Sequence, residues 1–372
     1  MIRKARQGDL NSLVEIEQLV FETDRFSRRN FRYLLTKANA ITLVYENQSQ
    51  VLGYVTLLFN AGTSLARMYS LAVHPEAQGK GIGTELIVSA EQEATEHDCI
   101  TLRLEVRRDN ARAIRRYETL GYRQFGVRKD YYEDHMEALV FEKRLEPKLK
   151  PELARVPYYR QTLEFTCGPA ALMMAMKALE PRRRLSRKLE LRLWRESTTI
   201  YMTSGHGGCG PHGLALSAYH LDFDVELYVK QDDVMFLDSV RSQEKKEVMR
   251  LVQEDFVSQM KTLPIKVRHR VLSVSAMQKK FEQGGIPIVL ISSYRIYREK
   301  FPHWVVVTGF DEKYVYVHDP YVDTEQGKNV VDTMNMPILK KEFESMARYG
   351  KSAQQAALVI YKRQHADHTK DK

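Results

Sequence analysis

Apolar positions in the first 145 residues switch repeatedly between a period of two and a helical period, and the switches mark out elements. Ile2 to Ala5 reads as an opening strand. Gly8-Asp9-Leu10 then caps an amphipathic helix with Leu10, Leu13, Val14, Ile16, Leu19 and Val20 on its apolar face. Phe26 to Leu35 gives a second helix. Ile41 to Tyr45 and Val51 to Phe59 are β-rich runs, and the polar stretch Glu46 to Gln50 between them is a hairpin signal. A strand from Met68 to Val73 ends in a glycine-rich loop, and a helix runs from there through Glu96. Strand Thr101 to Val106, helix Ala111 to Leu120 and strands around Tyr122 to Val127 and Ala138 to Lys143 complete the series. The order predicts an α+β domain over residues 1–145, a mixed sheet with helices on its faces.

The pattern breaks at Leu145 to Pro157, where three prolines and alternating charge replace any periodicity; residues 146–157 read as a stiff, exposed connector. A second α+β domain is expected over 158–363. Its elements are an apolar helix beginning at Cys167, a helix from Leu214 to Tyr219, a strand from Asp224 to Val229 and a charged helical insertion over 235–283. A buried strand, Gly285 to Ile291, and two strands ending near Asp311 and Asp319 follow. Residues 364–372 read as a polar, frayed tail.

Length and composition set the frame. At 372 residues, 43% hydrophobic and 28% charged, the chain has material for two or three globular domains. Its charged start leads into no apolar export segment, and no stretch approaches the roughly 18 apolar residues of a membrane span, so a cytoplasmic location and no membrane partner are expected. Three widely spaced cysteines, Cys99, Cys167 and Cys209, cannot make a disulfide framework. The net charge of +9 falls almost wholly in the second half, much of it at Arg182, Arg183, Arg184, Arg187, Lys188, Arg192 and Arg195. With no aromatic residues interleaved for base stacking, a solvated helix face is favoured over a nucleic-acid surface.

The loop Gln78-Gly79-Lys80-Gly81-Ile82-Gly83 carries the chemistry of the first domain. A strand that passes through glycines into a helix leaves backbone N–H groups unpaired with no Cβ to block approach, which suits a phosphate or pyrophosphate. The spacing fits neither G-x-G-x-x-G nor a Walker loop, and a bare tight turn is the alternative. Q-x-x-G-x-G after a strand and His74-Pro75, followed by the block Leu104 to Tyr122, resembles the GNAT acetyltransferase superfamily, with its closest likeness to bacterial ribosomal-protein alanine N-acetyltransferases. The resemblance implies acetyl-coenzyme A as acetyl donor. It implies that the backbone of Leu71, Ala72 and Val73 pairs with the pantetheine arm and that the amides of Gln78, Gly79, Lys80, Gly81, Ile82 and Gly83 cradle the pyrophosphate. It further implies that Asn110 contacts the cofactor, Glu105 is the general base and Tyr117 the general acid.

In the second domain, Cys167 starts an apolar helix, where the helix dipole favours thiolate; Gly168 lets another backbone approach, and Gln161 can turn an amide toward the same point. A buried helix-start cysteine is the blander alternative. Far downstream, His303 starts one strand and Asp319 ends the next, and antiparallel pairing brings them together. Gln, Cys, His, Asp in that chain order resembles papain-like cysteine peptidases, specifically the double-glycine leader peptidases that process bacteriocins. That resemblance implies Gln161 as oxyanion donor, Cys167 as nucleophile, His303 as general base and Asp319 as its orienting group. The exporter peptidases are joined to membrane segments and this chain shows none, so their substrate is not carried over.

The glycine-rich stretch Gly205 to Gly213, with His206, Cys209 and His212, reads as a flexible loop beside the cleft; the ligand set is poor for a metal, and no metal is expected. His97, Cys99 and His135 lack ligand spacing and read as structural. The expected whole is a bifunctional enzyme, an N-acetyltransferase of a protein or peptide amine joined to a cysteine peptidase. A non-cleaving peptide-binding second domain is the alternative.

Overall fold

The computed structural model describes residues 1–149, 151–199, 207–230, 234–325 and 327–363. The chain divides into two compact units, Met1–Leu149 and Lys150–Lys372. The expected tail, 364–372, and the Gly205-His206 part of the glycine-rich stretch lie outside the described residues.

The first unit comprises β1 (Ile2–Lys4), α1 (Leu10–Val20), α2 (Arg28–Thr36), β2 (Ala40–Asn47), β3 (Gln50–Phe59), β4 (Leu65–Val73), α3 (Ile82–Glu96), β5 (Thr101–Arg107), α4 (Ala111–Thr119), β6 (Arg123–Arg128) and β7 (Ala138–Arg144). Its strands form one sheet in the order β1-β2-β3-β4-β5-β7-β6. Every pair is antiparallel except β4 with β5. The β2–β3 hairpin turns on Gln48 and Ser49, both with positive φ (47° and 65°), the twist that a two-residue hairpin requires. Alternation along the strands splits the core. Val44 and Tyr54 pack with Leu13, Ile16 and Phe31 of α1 and α2. Leu43 and Val55 pack with Leu86, Ile87 and Ala90 of α3. Ser27 starts α2 by accepting the Asn30 N–H, as a capping residue should.

The second unit continues with β8 (Glu152–Leu153), α5 (Cys167–Leu179), α6 (Arg187–Ser197), α7 (Pro211–His220), β9 (Phe223–Val229), α8 (Gln243–Lys261), β10 (Lys266–His269) and α9 (Val274–Glu282). After these come β11 (Ile286–Ser292), α10 (Tyr294–Tyr297), β12 (Pro302–Phe310), β13 (Tyr314–His318), α11 (Val330–Thr333), β14 (Met336–Leu339), α12 (Lys340–Met346) and β15 (Ala356–Lys362). The sheet order is β10-β9-β15-β11-β12-β13-β14, with β8 added beside β12. Ile286, Ile288 and Leu290 of β11 share one core with Met173, Met176 and Leu214 of α5 and α7. Val289, of opposite parity, faces α9 and α12, where it lines a cavity with Met277 and Phe343.

Two sequence expectations change here. The connector stays largely exposed but is not free of the domain, because Glu152 and Leu153 pair with Phe310 and Gly309. Ala154 donates to the Thr308 carbonyl at 2.8 Å, and the Val156 carbonyl accepts from His318 Nε2. A Cβ at Gly309 would stand 2.3 Å from the Glu152 carbonyl oxygen, so the strand docks only because that position is glycine. The charged insertion over 235–283 is not solely helical, since β10 within it pairs in parallel with β9 and extends the sheet.

Candidate functional site

In the first unit the site is opened by two parallel strands parting. β4 and β5 pair from Leu65↔Thr101 to Met68↔Leu104 and no further. Beyond that point β4 stays on β3, with Leu71, Ala72 and Val73 opposite Val55, Tyr54 and Gly53. Tyr69 is the extra residue of a bulge in β4, and a bulge bends its strand. On the other side β5 stays on β7, with Glu105 opposite Val140. The edge of Leu71 to Val73 that faced β5 is therefore available for an extended ligand.

The loop after β4 fits an anionic group at the end of that wedge. Gly79 and Gly81 have φ of 82° and 86° with open space where a Cβ would be, and Gly81 leads directly into α3. The Gln78 amide donates to the Val73 carbonyl at 3.2 Å, tying the loop back to its strand. Ile82 is buried and contributes only its backbone, whereas Lys80 is exposed. Arg116, which the sequence did not single out, lies against the start of α3, with Nη1 2.8 Å from a Cβ built on Gly83. Glycines, a helix N-terminus and a guanidinium together suit a pyrophosphate. Asn110 caps α4, its Oδ1 accepting the Ala113 N–H at 3.1 Å, so any cofactor contact is left to its amide nitrogen.

Glu105 lies at the mouth of the splay, nearly buried. Arg67 Nε stands 3.2 Å from its Oε2 and Arg128 Nη1 3.7 Å from its Oε1. Arg67 lies over the Tyr69 ring and Arg128 over the Tyr131 ring. Burial, and after it the Glu105 charge, push the Tyr131 hydroxyl up. Tyr117 is buried against Tyr122 and Phe141, and burial pushes its hydroxyl up to about 12, keeping it a proton donor at neutral pH. Arg67, Arg128 and Tyr131 escaped the sequence reading because each comes from a separate strand or loop.

The second site is assembled at one end of β12. Val306 faces His318 across the ladder, so Asp319, one residue past the strand, falls on the same face as His303. His303 Nε2 lies 2.6 Å from Asp319 Oδ1, with both side chains buried. The Tyr297 hydroxyl donates to Oδ2 at 2.7 Å and the Tyr321 N–H to Oδ1 at 2.8 Å, fixing the carboxylate. The other ring nitrogen is left for Cys167, which is near enough to raise the imidazole's proton affinity. Burial lowers the imidazole's proton affinity, but the Asp319 charge and hydrogen bond, and after them Cys167, raise it to about 10. The rings of Tyr297, Phe301 and Tyr321 stand edge-on around the imidazole and exclude water from it.

Cys167 opens α5, and Gly168 beside it is tightly enclosed. A Cβ there would be 3.2 Å from Cys209 Cβ, from Leu214 Cδ1 and from Trp304 Cδ1, so any larger residue would push on three packed side chains where the helix meets β12. Trp304 Nε1 donates to the Cys209 carbonyl at 3.0 Å. Cys209 is buried, and that burial, with Cys167 close by, pushes its thiol well up, which does not suit a rival nucleophile. From Pro211 onward the glycine-rich stretch is helical and buried, so the expected flexible loop is at most its earlier part. Among the described residues no group of three His, Cys, Asp or Glu side chains could hold a metal.

Gln161 is brought to the same end, its N–H donating to the Pro320 carbonyl at 2.9 Å. Its side chain differs from expectation. The amide nitrogen donates to the carbonyls of Leu163 and Glu164, at 2.8 and 3.1 Å, while Oε1 is buried without a partner. Tyr158 reinforces the junction by donating to the Asp319 carbonyl at 2.9 Å. On the basic run, Arg183 pairs with Glu180 and Arg192 with Glu196, and Arg182, Arg184, Arg187, Lys188 and Arg195 are exposed. His97 stacks on Phe59, Cys99 is buried, and His135 contacts Asp130.

Residues 156–361 match a model described as the Peptidase_C39 like family, and residues 10–122 match the Acetyltransferase (GNAT) family. A Bacillus subtilis (strain 168) protein, named provisionally as a ribosomal protein bS18 alanine N-acetyltransferase, is 31% identical over 136 residues, 37% of this chain and 89% of its own length. An uncharacterized N-acetyltransferase of Methanocaldococcus jannaschii is 32% identical over 145 residues, 39% of this chain and 91% of its own. The crystal structure of the ribosomal-protein-S18-alanine N-acetyltransferase from Escherichia coli has 24% identity and a TM-score of 0.36, covering 39% of this chain and 93% of that one.

Proposed function

The chain belongs to the Peptidase_C39 like family and, in its first unit, to the Acetyltransferase (GNAT) family, and from that premise we propose a bifunctional enzyme that acetylates a peptide α-amine and cleaves a peptide bond. The first unit is a GNAT N-acetyltransferase whose acetyl donor is acetyl-coenzyme A. That donor supplies an activated thioester carbonyl. The open edge of Leu71 to Val73 holds its extended arm, and the loop from Gln78 to Gly83, with Arg116 beside it, holds its pyrophosphate. Glu105 accepts the proton of the attacking amine, and Tyr117, protonated at neutral pH, returns one to the departing thiolate. The α-amine preference follows the printed activity of the Bacillus relative. It is tested with two synthetic peptides, one with a free N-terminal alanine and one with a blocked N-terminus and a free lysine. Transfer to the lysine alone contradicts it.

The observation that carries the second activity is His303 held between Asp319 and Cys167 in a dry aromatic pocket. An imidazolium beside the thiol favours thiolate, which attacks a peptide carbonyl. The S–C bond forms, the C–N bond breaks, and His303 gives its proton to the leaving amine. Water then hydrolyses the thioester, regenerating the thiol. The engaged Gln161 amide favours a second reading, a domain that binds peptide without cutting it. A peptide with a C-terminal thiol-reactive electrophile separates the two: the peptidase reading expects Cys167 to be labelled at neutral pH and the labelling to be lost in His303→Ala. Equal labelling of both proteins supports the binding module.

A further inference from the structure

We propose that Glu190 of α6 is a positioning residue for the thiol site, organising the segment between Gln161 and Cys167 so that the first N–H groups of α5 stay open to a developing oxyanion. The inference rests on the reading of Cys167 as a nucleophile.

Glu190 is wholly buried, and among the described residues no Lys, Arg or His lies within ion-pairing distance of it. Its carboxylate is instead surrounded by neutral donors, all from residues 159–166. The Thr162 N–H and the Thr166 hydroxyl approach Oε1 at 2.8 and 2.5 Å, and the Thr162 and Tyr159 hydroxyls approach Oε2 at 2.8 and 2.9 Å. A buried acid without a countercharge is costly, and a position that needed only packing is better served by leucine. What the acid does is draw one loop together from both ends. Gln161 lies within that span and Cys167 follows it directly.

Thr166 shows the consequence. It is the N-cap residue of α5, where a threonine hydroxyl normally accepts a first-turn N–H. Here it makes no such cap, because its hydroxyl is turned onto Glu190 and the Leu163 backbone. No partner takes the N–H of Cys167 or Gly168 among the described residues. An uncapped N–H pair beside the thiol is the donor arrangement an oxyanion needs, and it stands ready even with the Gln161 amide engaged elsewhere. The sequence signal was a Glu on the apolar face of α6, between Leu189 and Leu193, where it is overshadowed by the basic outer face.

Two reagents test this with the full chain. p-Nitrophenyl acetate acylates Cys167 through a tetrahedral oxyanion, with the S–C bond forming and the C–O bond breaking to release p-nitrophenolate. Iodoacetamide alkylates the same sulfur by displacing iodide, with no oxyanion. Cys167→Ala supplies the background for both. In Glu190→Gln, whose amide can keep part of the donor set, the ratio of acylation to alkylation rates falls about threefold. In Glu190→Leu it falls about tenfold or more, up to the roughly 10²-fold of losing an oxyanion donor outright. Thermal melting reports whether each variant is folded; if the leucine variant is not, the glutamine variant decides. A folded variant in which both rates drop together, or neither changes, overturns the proposal. A wild-type Cys167 that takes neither reagent overturns the nucleophile reading, and this inference with it.

Discussion

Asp319 sets the protonation of His303 in the second site. His303 is buried, and burial alone would leave the imidazole neutral; the adjacent carboxylate raises it to about 10 instead. A group raised on folding stabilises the protein fully below its unfolded value near 6.5, and that contribution is lost as pH rises through about 10. The same titration removes the proton that His303 would hold beside Cys167. Asp319→Asn should therefore move the alkaline limb of Cys167 alkylation down by more than about one pH unit, as iodoacetamide rates against pH will show; an unmoved limb removes Asp319 from the role. In the first unit, Glu105→Gln should lower kcat for acetyl transfer by about 10²-fold or more while leaving the coenzyme A dissociation constant within about twofold. A matching loss of coenzyme A affinity would mean that Glu105, clasped by Arg67 and Arg128, serves the fold instead. At this scale the sequence was generous where a chemical group sits at the start or end of an apolar element, as with Cys167, His303 and Asp319. It was silent on Tyr297, Tyr321 and Arg128, which reach their partners only through tertiary packing.

Two glycines show how elements carry the sites. Gly81 starts α3 at φ 86° with nothing near a built Cβ, so Gly81→Ala is strained by backbone alone, at a cost of about 1 kcal/mol. The expected result is a raised KM for acetyl-coenzyme A with a melting temperature lowered by only about 2–4 °C; an unchanged KM would show that the loop does not hold the pyrophosphate. Gly309 is different, since its Cβ would strike the Glu152 carbonyl. Gly309→Ala should release β8 from the sheet and expose residues 146–157 to limited proteolysis several-fold faster than wild type; equal cleavage rates would contradict the docking. The strands and helices of the first unit were legible because their periods are long and regular. β8 was not, because two residues between prolines carry no period and pair only with a strand about 150 positions away. β10 was hidden similarly inside a charged run.

Each of the two units carries its own core, its own sheet and its own candidate site. No helix of the described residues is long and apolar enough to cross a membrane. A peptide cleaved at the second site gains a new α-amine, which is the kind of group the first site is proposed to acetylate. The measurement that tests the account most directly is intact-mass analysis of candidate peptides incubated with the whole chain and acetyl-coenzyme A, beside Glu105→Gln and Cys167→Ala. Acetylated and shortened products are expected from the wild type, with acetylation of the intact peptide's own N-terminus lost only in the first variant and shortening only in the second. Loss of shortening in Glu105→Gln, acetylation that survives it, or shortening that survives Cys167→Ala, would contradict it.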